Sequence, residues 1–226
     1  DIHIFLDCDH ASQKVLTTTA LPPHHLTNRG WGIAVDIGTT TVVLQLYYLD
    51  KGVLCASESG MNDQAAFGAD VISRISYSNQ HGKEILHQCI ARQLKSYLAK
   101  ILTYRNIPQI DRVVITGNTT MLHFWENLDP RGIAVAPFTP QSLFGKTGEI
   151  RFAEQKVFLP PCIGSYIGAD IVCSILASEM TKDPQTTSLL IDMGTNGEIV
   201  VQHQGRLYCA ATAMGPAFEG VGLDCG

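Results

Sequence analysis

The sequence has few charged residues, no run of Lys or Arg, and no apolar segment as long as a membrane span. It contains 16 Lys and Arg against 21 Asp and Glu, so its formal net charge is -5. This balance argues against nucleic acid or an anionic membrane surface as the main partner. A transmembrane helix needs about 20 consecutive apolar residues, and no such stretch occurs. We therefore expect no nucleic-acid partner and no membrane partner.

The sequence also lacks closely spaced cysteines. Its seven cysteines are Cys8, Cys55, Cys89, Cys162, Cys173, Cys209 and Cys225. An odd, scattered set is typical of reduced thiols and not of a disulfide framework. No CxxC motif is present, so we expect neither an iron–sulfur cluster nor a structural zinc in this chain.

The N-terminus lacks the features of a signal peptide, since no basic region precedes an apolar core. Together with the reduced thiols, this predicts a cytoplasmic protein. The chain begins with Asp1 and not with Met, from which we expect it to be part of a longer protein.

Apolar patterning predicts an α/β fold. Three strand-like runs joined by tight turns begin at Trp31 and indicate an antiparallel meander. The clearest helical pattern covers residues 82–106, where apolar residues recur at three- and four-residue steps. A long loop is expected from Pro130 to Pro161, followed by an apolar helix at residues 167–180. A second meander begins near Thr187, and a meander that restarts after helices indicates a duplicated unit.

The two meanders share one turn motif. The first contains "AVDIGTTTVVLQLYY" and the second "LLIDMGTNGEIVV". In each, a glycine allows a sharp turn and the close approach of an anion to the backbone. The residues that follow offer N–H groups and hydroxyls to phosphate oxygens, and an Asp ending a buried strand is suited to a hydrated Mg²⁺. Two such hairpins facing each other would hold a polyphosphate and its Mg²⁺ from both sides. A purely structural role for the Asp and Thr side chains is the alternative, and the second copy of the motif argues against it.

The motif defines the candidate site residues. The candidate phosphate-binding residues are Gly38, Thr39, Thr40 and Thr41 in the first turn, and Gly194, Thr195, Asn196 and Gly197 in the second. Asp36 and Asp192 are the candidate catalytic carboxylates. Each would hold Mg²⁺, directly or through water, or would orient the attacking water, and the sequence leaves these roles open. Glu198 either assists catalysis or faces solvent, and both interpretations stay open.

Other polar residues have simpler interpretations. Asn118, Thr119 and Thr120 follow a buried strand, where they would either present a helix N-terminus to an anion or cap that helix. We favour capping. His123 is expected to be a packed histidine and not a ligand. Asp70 is expected in the first turn of a helix, where the dipole favours a carboxylate.

The paired turns resemble the phosphate motifs of the actin-like ATPase (ASKHA) superfamily, which includes sugar and acetate kinases, heat-shock chaperone ATPases and actin. Further segments resemble one family in particular, the ATP-dependent reductive activators of corrinoid proteins. These segments are "VDIGTTTV", "FGADVISRI", "GNTTMLHF", "DPRGIAVAPFTP", "LPPCIGSYIGADI", "LLIDMGTNGEIV" and "AMGPAFEG". The resemblance runs from about Gly30 to Gly226.

This resemblance implies an actin-like, ribonuclease H-like fold with a meander and helices repeated. Residues 31–185 would form the first lobe and residues 186–226 the start of a second, incomplete lobe. Residues 1–30 are expected to be a lead-in strand and a linker. Glu219, in "GPAFEG", would lie at a glycine-rich corner turned towards the nucleotide.

The function implied by the resemblance is a reductive activase that couples ATP hydrolysis to reduction of a Co(II) corrinoid protein to Co(I). Its cofactors would be ATP and Mg²⁺, with a 2Fe-2S cluster only in a separate domain of the full-length protein. The expected partner is a corrinoid protein, and a homodimer is a further expectation. The alternatives are an actin-like small-molecule kinase and a non-catalytic interaction module with the same fold.

Overall fold

The computed structural model describes residues 2–7, 13–18, 30–103, 107 and 109–213, with side-chain positions for those between residues 30 and 212. The chain divides into two compact units. One is Thr27–Asp170, and the other combines Asp1–Leu26 with Ile171–Gly226. The division falls within an α-helix, after Asp170, and the lobes of residues 31–185 and 186–226 stay a prediction.

The described strands are, in chain order, β1 (Ile2–Asp7), β2 (Gln13–Thr18), β3 (Trp31–Ile37), β4 (Thr41–Tyr48), β5 (Val53–Met61), β6 (Arg112–Gly117), β7 (Phe144–Phe152), β8 (Gln155–Pro161), β9 (Ser188–Met193), β10 (Asn196–His203) and β11 (Arg206–Ala213). The described α-helices are α1 (Val71–His81), α2 (Glu84–Thr103), α3 (Thr119–Trp125), α4 (Arg131–Ala134) and α5 (Ala169–Ala177), and a 3-10 helix covers Asp63–Phe67. No α-helix among the described residues is long and apolar enough to cross a membrane.

The unit Thr27–Asp170 is built on a six-stranded sheet in the order β5-β4-β3-β6-β8-β7. The predicted meander is confirmed, since β4 pairs antiparallel with both β3 and β5. On its other side β3 pairs parallel with β6. Strand β3 is therefore central, and its apolar side chains Ile33, Val35 and Ile37 are buried in the core.

Helix α2 covers part of this sheet, as its apolar periodicity predicts. Leu86, Ile90 and Leu94 are fully buried in the core, and the helix packs against β4, β5 and α3. Burying one such leucine or isoleucine contributes about 1.5–3 kcal/mol. Helix α1 begins after Asp70, which accepts a hydrogen bond from the backbone N–H of Ser73 at 2.8 Å. Asp70 is therefore the N-cap of α1, one position before the first turn in which we expected it.

The prediction of a long loop from Pro130 to Pro161 is wrong. This segment contains α4, β7 and β8, and β8 pairs parallel with β6. Proline removes a ladder donor, so a proline-rich segment does not look like a strand from its sequence. Here Pro160 and Pro161 fall at the end of β8, and β7 lies at the edge of the sheet with a shifted register between Thr147 and Arg151.

The second unit contains a five-stranded sheet in the order β2-β1-β11-β10-β9. The second predicted meander, β9 to β11, is confirmed. We had expected one lead-in strand and a linker in residues 1–30, but the structure has two strands that pair antiparallel, with β1 parallel to β11. The second of them, "QKVLTT", is rich in β-branched residues, which favour a strand over a linker.

Candidate functional site

Asp36 lies near the carboxyl end of the central strand β3. Its neighbours Val35 and Ile37 are buried, whereas Asp36 is exposed on the opposite face of the strand. It is in register with Val43 of β4 and with Thr116 of β6. The alternation of side chains along a strand therefore places this carboxylate at the surface of the sheet, just before the first Asp-X-Gly turn.

The first turn, Gly38–Thr41, joins β3 to β4. The backbone N–H of Gly38 donates to the carbonyl oxygen of Thr41 at 2.9 Å. A Cβ atom at Gly38 would lie only 2.7 Å from that same oxygen. The turn therefore requires glycine at this position, as the motif predicts.

Three consecutive carbonyl groups of this turn accept hydrogen bonds from the interior of the unit. Asn62 donates through Nδ2 to the oxygen of Gly38 at 2.8 Å and through its backbone N–H to that of Thr40 at 2.7 Å. Arg74 donates through Nη2 to the oxygen of Thr39 at 2.6 Å. These bonds fix the orientation of each peptide plane in the turn.

Sequence reasoning missed Asn62 and Arg74. Both side chains have no exposed surface, and they lie 24 and 35 residues along the chain from the carbonyls that they contact. Asn62 precedes the 3-10 helix Asp63–Phe67 and caps it. For Arg74 the local signal was a charged residue at a position that the helical pattern of α1 would fill with an apolar side chain.

The interpretation of Asn118 as a helix cap is confirmed. Its Oδ1 accepts from the backbone N–H of Met121 at 3.0 Å. Its Nδ2 also donates to Oγ1 of Thr39 at 2.9 Å, so the same side chain connects α3 to the first turn. Thr119 is buried and donates to the carbonyl oxygen of Gly164 at 2.6 Å. Thr119 therefore has a structural hydrogen bond within the unit.

His123 is a packed histidine, as expected. It is fully buried, with Nδ1 at 2.7 Å from the carbonyl oxygen of Thr119 and Nε2 at 3.3 Å from the backbone nitrogen of Ser142. These partners fit a neutral ring that donates through Nδ1 and accepts at Nε2. Burial lowers the pKa of His123, against smaller opposing effects of Thr119 and Asp129.

The second turn joins β9 to β10 in the other unit. The turn is shorter than the motif suggested, because Asn196 and Gly197 already belong to β10. Gly194 and Thr195 connect the strands, and the backbone N–H of Gly194 donates to the carbonyl oxygen of Asn196 at 3.0 Å. Asp192 lies near the end of β9, the position in β9 that corresponds to Asp36 in β3.

Glu198 lies directly opposite Asp192 in the ladder between β9 and β10. Directly paired residues project from the same face of a sheet, with Cβ atoms about 4.5–5.5 Å apart. Both side chains are half-buried. Glu198 is therefore beside Asp192 and is not fully solvent-facing, and a role in catalysis stays a prediction.

The candidate metal-binding carboxylates are too few to surround a divalent cation, so they suit a cation that keeps several water ligands. No group of three or more His, Cys, Asp or Glu within the described residues forms a metal cluster. Mg²⁺ commonly uses one or two carboxylates, with water and phosphate oxygens completing its shell. Asp192 with Glu198, or Asp36 alone, fits that requirement. The remaining candidate, Glu219, lies outside the described residues.

Two families of domains match the chain. Residues 31–183 match the RACo middle region, and residues 186–226 match the C-terminal domain of RACo, the ASKHA domain. The predicted α/β fold of the ASKHA type is thereby confirmed.

Curated relatives agree with these matches. The corrinoid activation enzyme RamQ of Eubacterium limosum is 39% identical over 208 residues, which cover 87% of this chain and 34% of that protein. The [Co(II) methylated amine-specific corrinoid protein] reductase of Methanosarcina barkeri is 25% identical over 211 residues, 87% of this chain and 38% of that protein. The chain thus spans little more than a third of the length of these relatives.

A solved structure described as a reductive activator for corrinoid, iron-sulfur protein superposes with a TM-score of 0.80 at 36% identity. The superposition covers 88% of this chain and 33% of that one. At this identity the likeness extends beyond a shared fold to the sequence itself.

Proposed function

This chain belongs to the RACo family, and from that premise we propose that it supplies nucleotide-binding elements of a reductive activator of corrinoid proteins. The activity proposed for the whole protein couples ATP hydrolysis to the one-electron reduction of a Co(II) corrinoid protein to Co(I). A 2Fe-2S cluster in a separate domain is the proposed electron donor.

One observation carries the nucleotide-binding part of this proposal. Turns with the same sequence motif, an Asp near the end of the preceding strand and a Gly two residues later, join the first two strands of both meanders. In each copy the residues of the turn follow the Asp within a few positions of the chain. N–H groups bind phosphate oxygens, and the carboxylate binds the metal that accompanies them.

The residues have distinct proposed roles. Gly38–Thr41 and Gly194–Gly197 would contact phosphate oxygens through backbone N–H groups and hydroxyls. Asp36 and Asp192 would hold Mg²⁺, directly or through water, or orient the water that attacks the γ-phosphorus. Glu198 would act beside Asp192. Bound Mg²⁺ would neutralise charge on the phosphates.

Coupling to the electron transfer would be indirect. None of these residues is a redox group, so their proposed part is to bind and hydrolyse ATP. Hydrolysis releases ADP and phosphate, and the energy is used to drive an electron to a low-potential cobalt centre. The corrinoid protein would respond to the nucleotide state of the activator to which it docks.

A spectroscopic assay tests this function. The full-length protein, an electron donor and ATP are mixed under anaerobic conditions with a panel of Co(II) corrinoid proteins from methyltransferase systems, and Co(I) is followed by its visible absorption. The proposal expects Co(I) to form only with hydrolysable ATP, and Asp192→Asn to slow its formation at least about tenfold. Reduction that proceeds equally well without ATP, or ATP-dependent phosphorylation of a small molecule without Co(I), would contradict it.

A further inference from the structure

Arg74 is a cation buried without a matching carboxylate. It has no exposed surface, and among the described residues no carboxylate lies within ion-pair distance of it. Its hydrogen-bond acceptors are the carbonyl oxygens of Gly68 and Thr39, at 2.8 and 2.6 Å, and Sδ of Met121 at 3.5 Å. Burial lowers the pKa of Arg74 to about 10, with a smaller opposing effect of Asp70. The guanidinium is therefore still charged at neutral pH.

A buried charge of this kind is not explained by stability alone. Taking a cation out of water costs several kcal/mol, and carbonyl oxygens offset that cost only in part. An apolar side chain of similar length would fill the same space beside Met121 without this cost. The position of the charge, directly behind the first turn, indicates a role for it there.

Peptide geometry shows what Arg74 does to the turn. In a planar trans peptide, the carbonyl of one residue and the N–H of the next point in opposite directions. The carbonyls of Gly38, Thr39 and Thr40 are held by Asn62 and Arg74. The N–H groups of the residues that follow each carbonyl must therefore point away from these two side chains.

Asn62 is itself held firmly enough to orient the turn. It is fully buried, and its Oδ1 accepts from the backbone N–H of Gln64 at 2.9 Å while its Nδ2 also contacts Sδ of Met121 at 3.7 Å. The turn is thus aligned by two buried side chains that are fixed by other contacts, which is the arrangement required for a preorganised anion site.

We propose that Arg74 is a positioning residue for anion binding at the first turn. It holds the Thr39 carbonyl and so fixes the peptide plane between Thr39 and Thr40, and it places a positive charge behind the turn that favours phosphate oxygens in front of it. This inference rests on the proposed function, because it takes the ligand of the turn to be the phosphate chain of a nucleotide.

The test compares nucleotide affinity with stability in the full-length protein. Affinity for Mg²⁺ with a non-hydrolysable ATP analogue is measured by calorimetry, and stability by urea unfolding, in Arg74→Met and Arg74→Lys. Arg92→Met, at an exposed arginine of α2, is the matched control. Arg74→Met should bind the analogue at least about tenfold more weakly, since a hydrogen bond to a charged group is lost from the turn. Its stability should fall, because the carbonyl oxygens of Gly68 and Thr39 lose a donor, but the protein should stay folded without urea, so that affinity is measured on folded protein. The control should change neither quantity.

The outcomes separate this inference from the proposed function. Wild-type affinity in a folded Arg74→Met protein would overturn the inference and leave the proposed function standing. Failure of the wild type to bind the analogue would overturn both. If Arg74→Met does not fold, Arg74→Lys decides, because it keeps the charge but not the planar guanidinium that reaches both Gly68 and Thr39. A loss of about threefold in affinity is then expected, and unchanged affinity would overturn the inference.

Discussion

Glu198 faces Asp192 directly across the ladder between β9 and β10. Two carboxylates in this position repel each other in the absence of a cation, which makes the pair less favourable than a neutral one by about 0.2–1 kcal/mol. A divalent cation that both side chains reach would reverse the sign of that interaction. Binding of a divalent cation by both carboxylates would therefore stabilise the pairing of β9 with β10.

Replacement of Glu198 by Gln tests this relationship. In Mg²⁺-free buffer Glu198→Gln should raise the free energy of unfolding by about 0.2–1 kcal/mol, because the like-charge contact is removed. Stabilisation by added Mg²⁺, measured by thermal unfolding, should be smaller than in the wild type. Glu179→Gln is the control, since Glu179 instead pairs with Lys182. Destabilisation of Glu198→Gln without Mg²⁺ would show that the two carboxylates do not oppose each other.

The first turn should not tolerate a side chain at Gly38. The Cβ atom of Gly38→Ala would lie 2.7 Å from the carbonyl oxygen of Thr41, so we expect a loss of about 1–3 kcal/mol in the free energy of unfolding. Nucleotide affinity should fall as well, because the peptide groups of the turn must move.

Gly164→Ala is the matched control for this prediction. A Cβ atom there meets nothing within 4 Å, so its effect on stability should stay within about 0.5 kcal/mol. Equal effects of the two substitutions, measured by urea unfolding, would contradict the steric argument.

His123 should make stability depend on pH. Its pKa is lowered by burial from the ordinary value of 6.5, so below that value the unfolded chain binds a proton that the folded protein does not. Stability should therefore fall as the pH decreases below 6.5, with a slope of at most about 1.4 kcal/mol per pH unit. His123→Asn, which keeps a donor near the Thr119 carbonyl, should be less stable overall but should show a shallower slope. If the stability of the two proteins changes in parallel between pH 7.5 and 5.5, His123 is not the source of the pH dependence.

The parts of the fold that the sequence predicts well are those with a strong local pattern. The meander β3–β5 and helix α2 follow from apolar periodicity, and the cap at Asn118 from its residue type. Strands β7 and β8 were missed, because the prolines of this segment suppress the strand signal. In addition, β8 pairs with β6, which is distant in the chain. Strand β2 was missed although it pairs locally with β1, because its residues run directly into polar and turn-forming sequence.

In the candidate site, too, some residues can be identified from a local motif and others only from the folded structure. Gly38 and Asp36 can be proposed from the motif alone, because a turn between apolar strands has few alternatives. Arg74 and Asn62 cannot, since their contacts with the turn depend on how α1 and the 3-10 helix pack on the sheet. The position of Glu198 beside Asp192 follows only from the register between β9 and β10. With a turn one residue longer, Glu198 would project from the other face of the sheet.

Binding of Mg²⁺ with a non-hydrolysable ATP analogue to the full-length protein, measured by calorimetry, tests the central claim most directly. Asp36→Ala, Asp192→Ala and the control Glu179→Gln would be measured beside the wild type. The account predicts saturable binding by the wild type and the control, and a loss of at least about tenfold in both aspartate variants, since a charge-assisted contact is worth about 1.5–3 kcal/mol. Folded wild-type protein that binds no nucleotide, or aspartate variants that bind as tightly as the wild type, would contradict it.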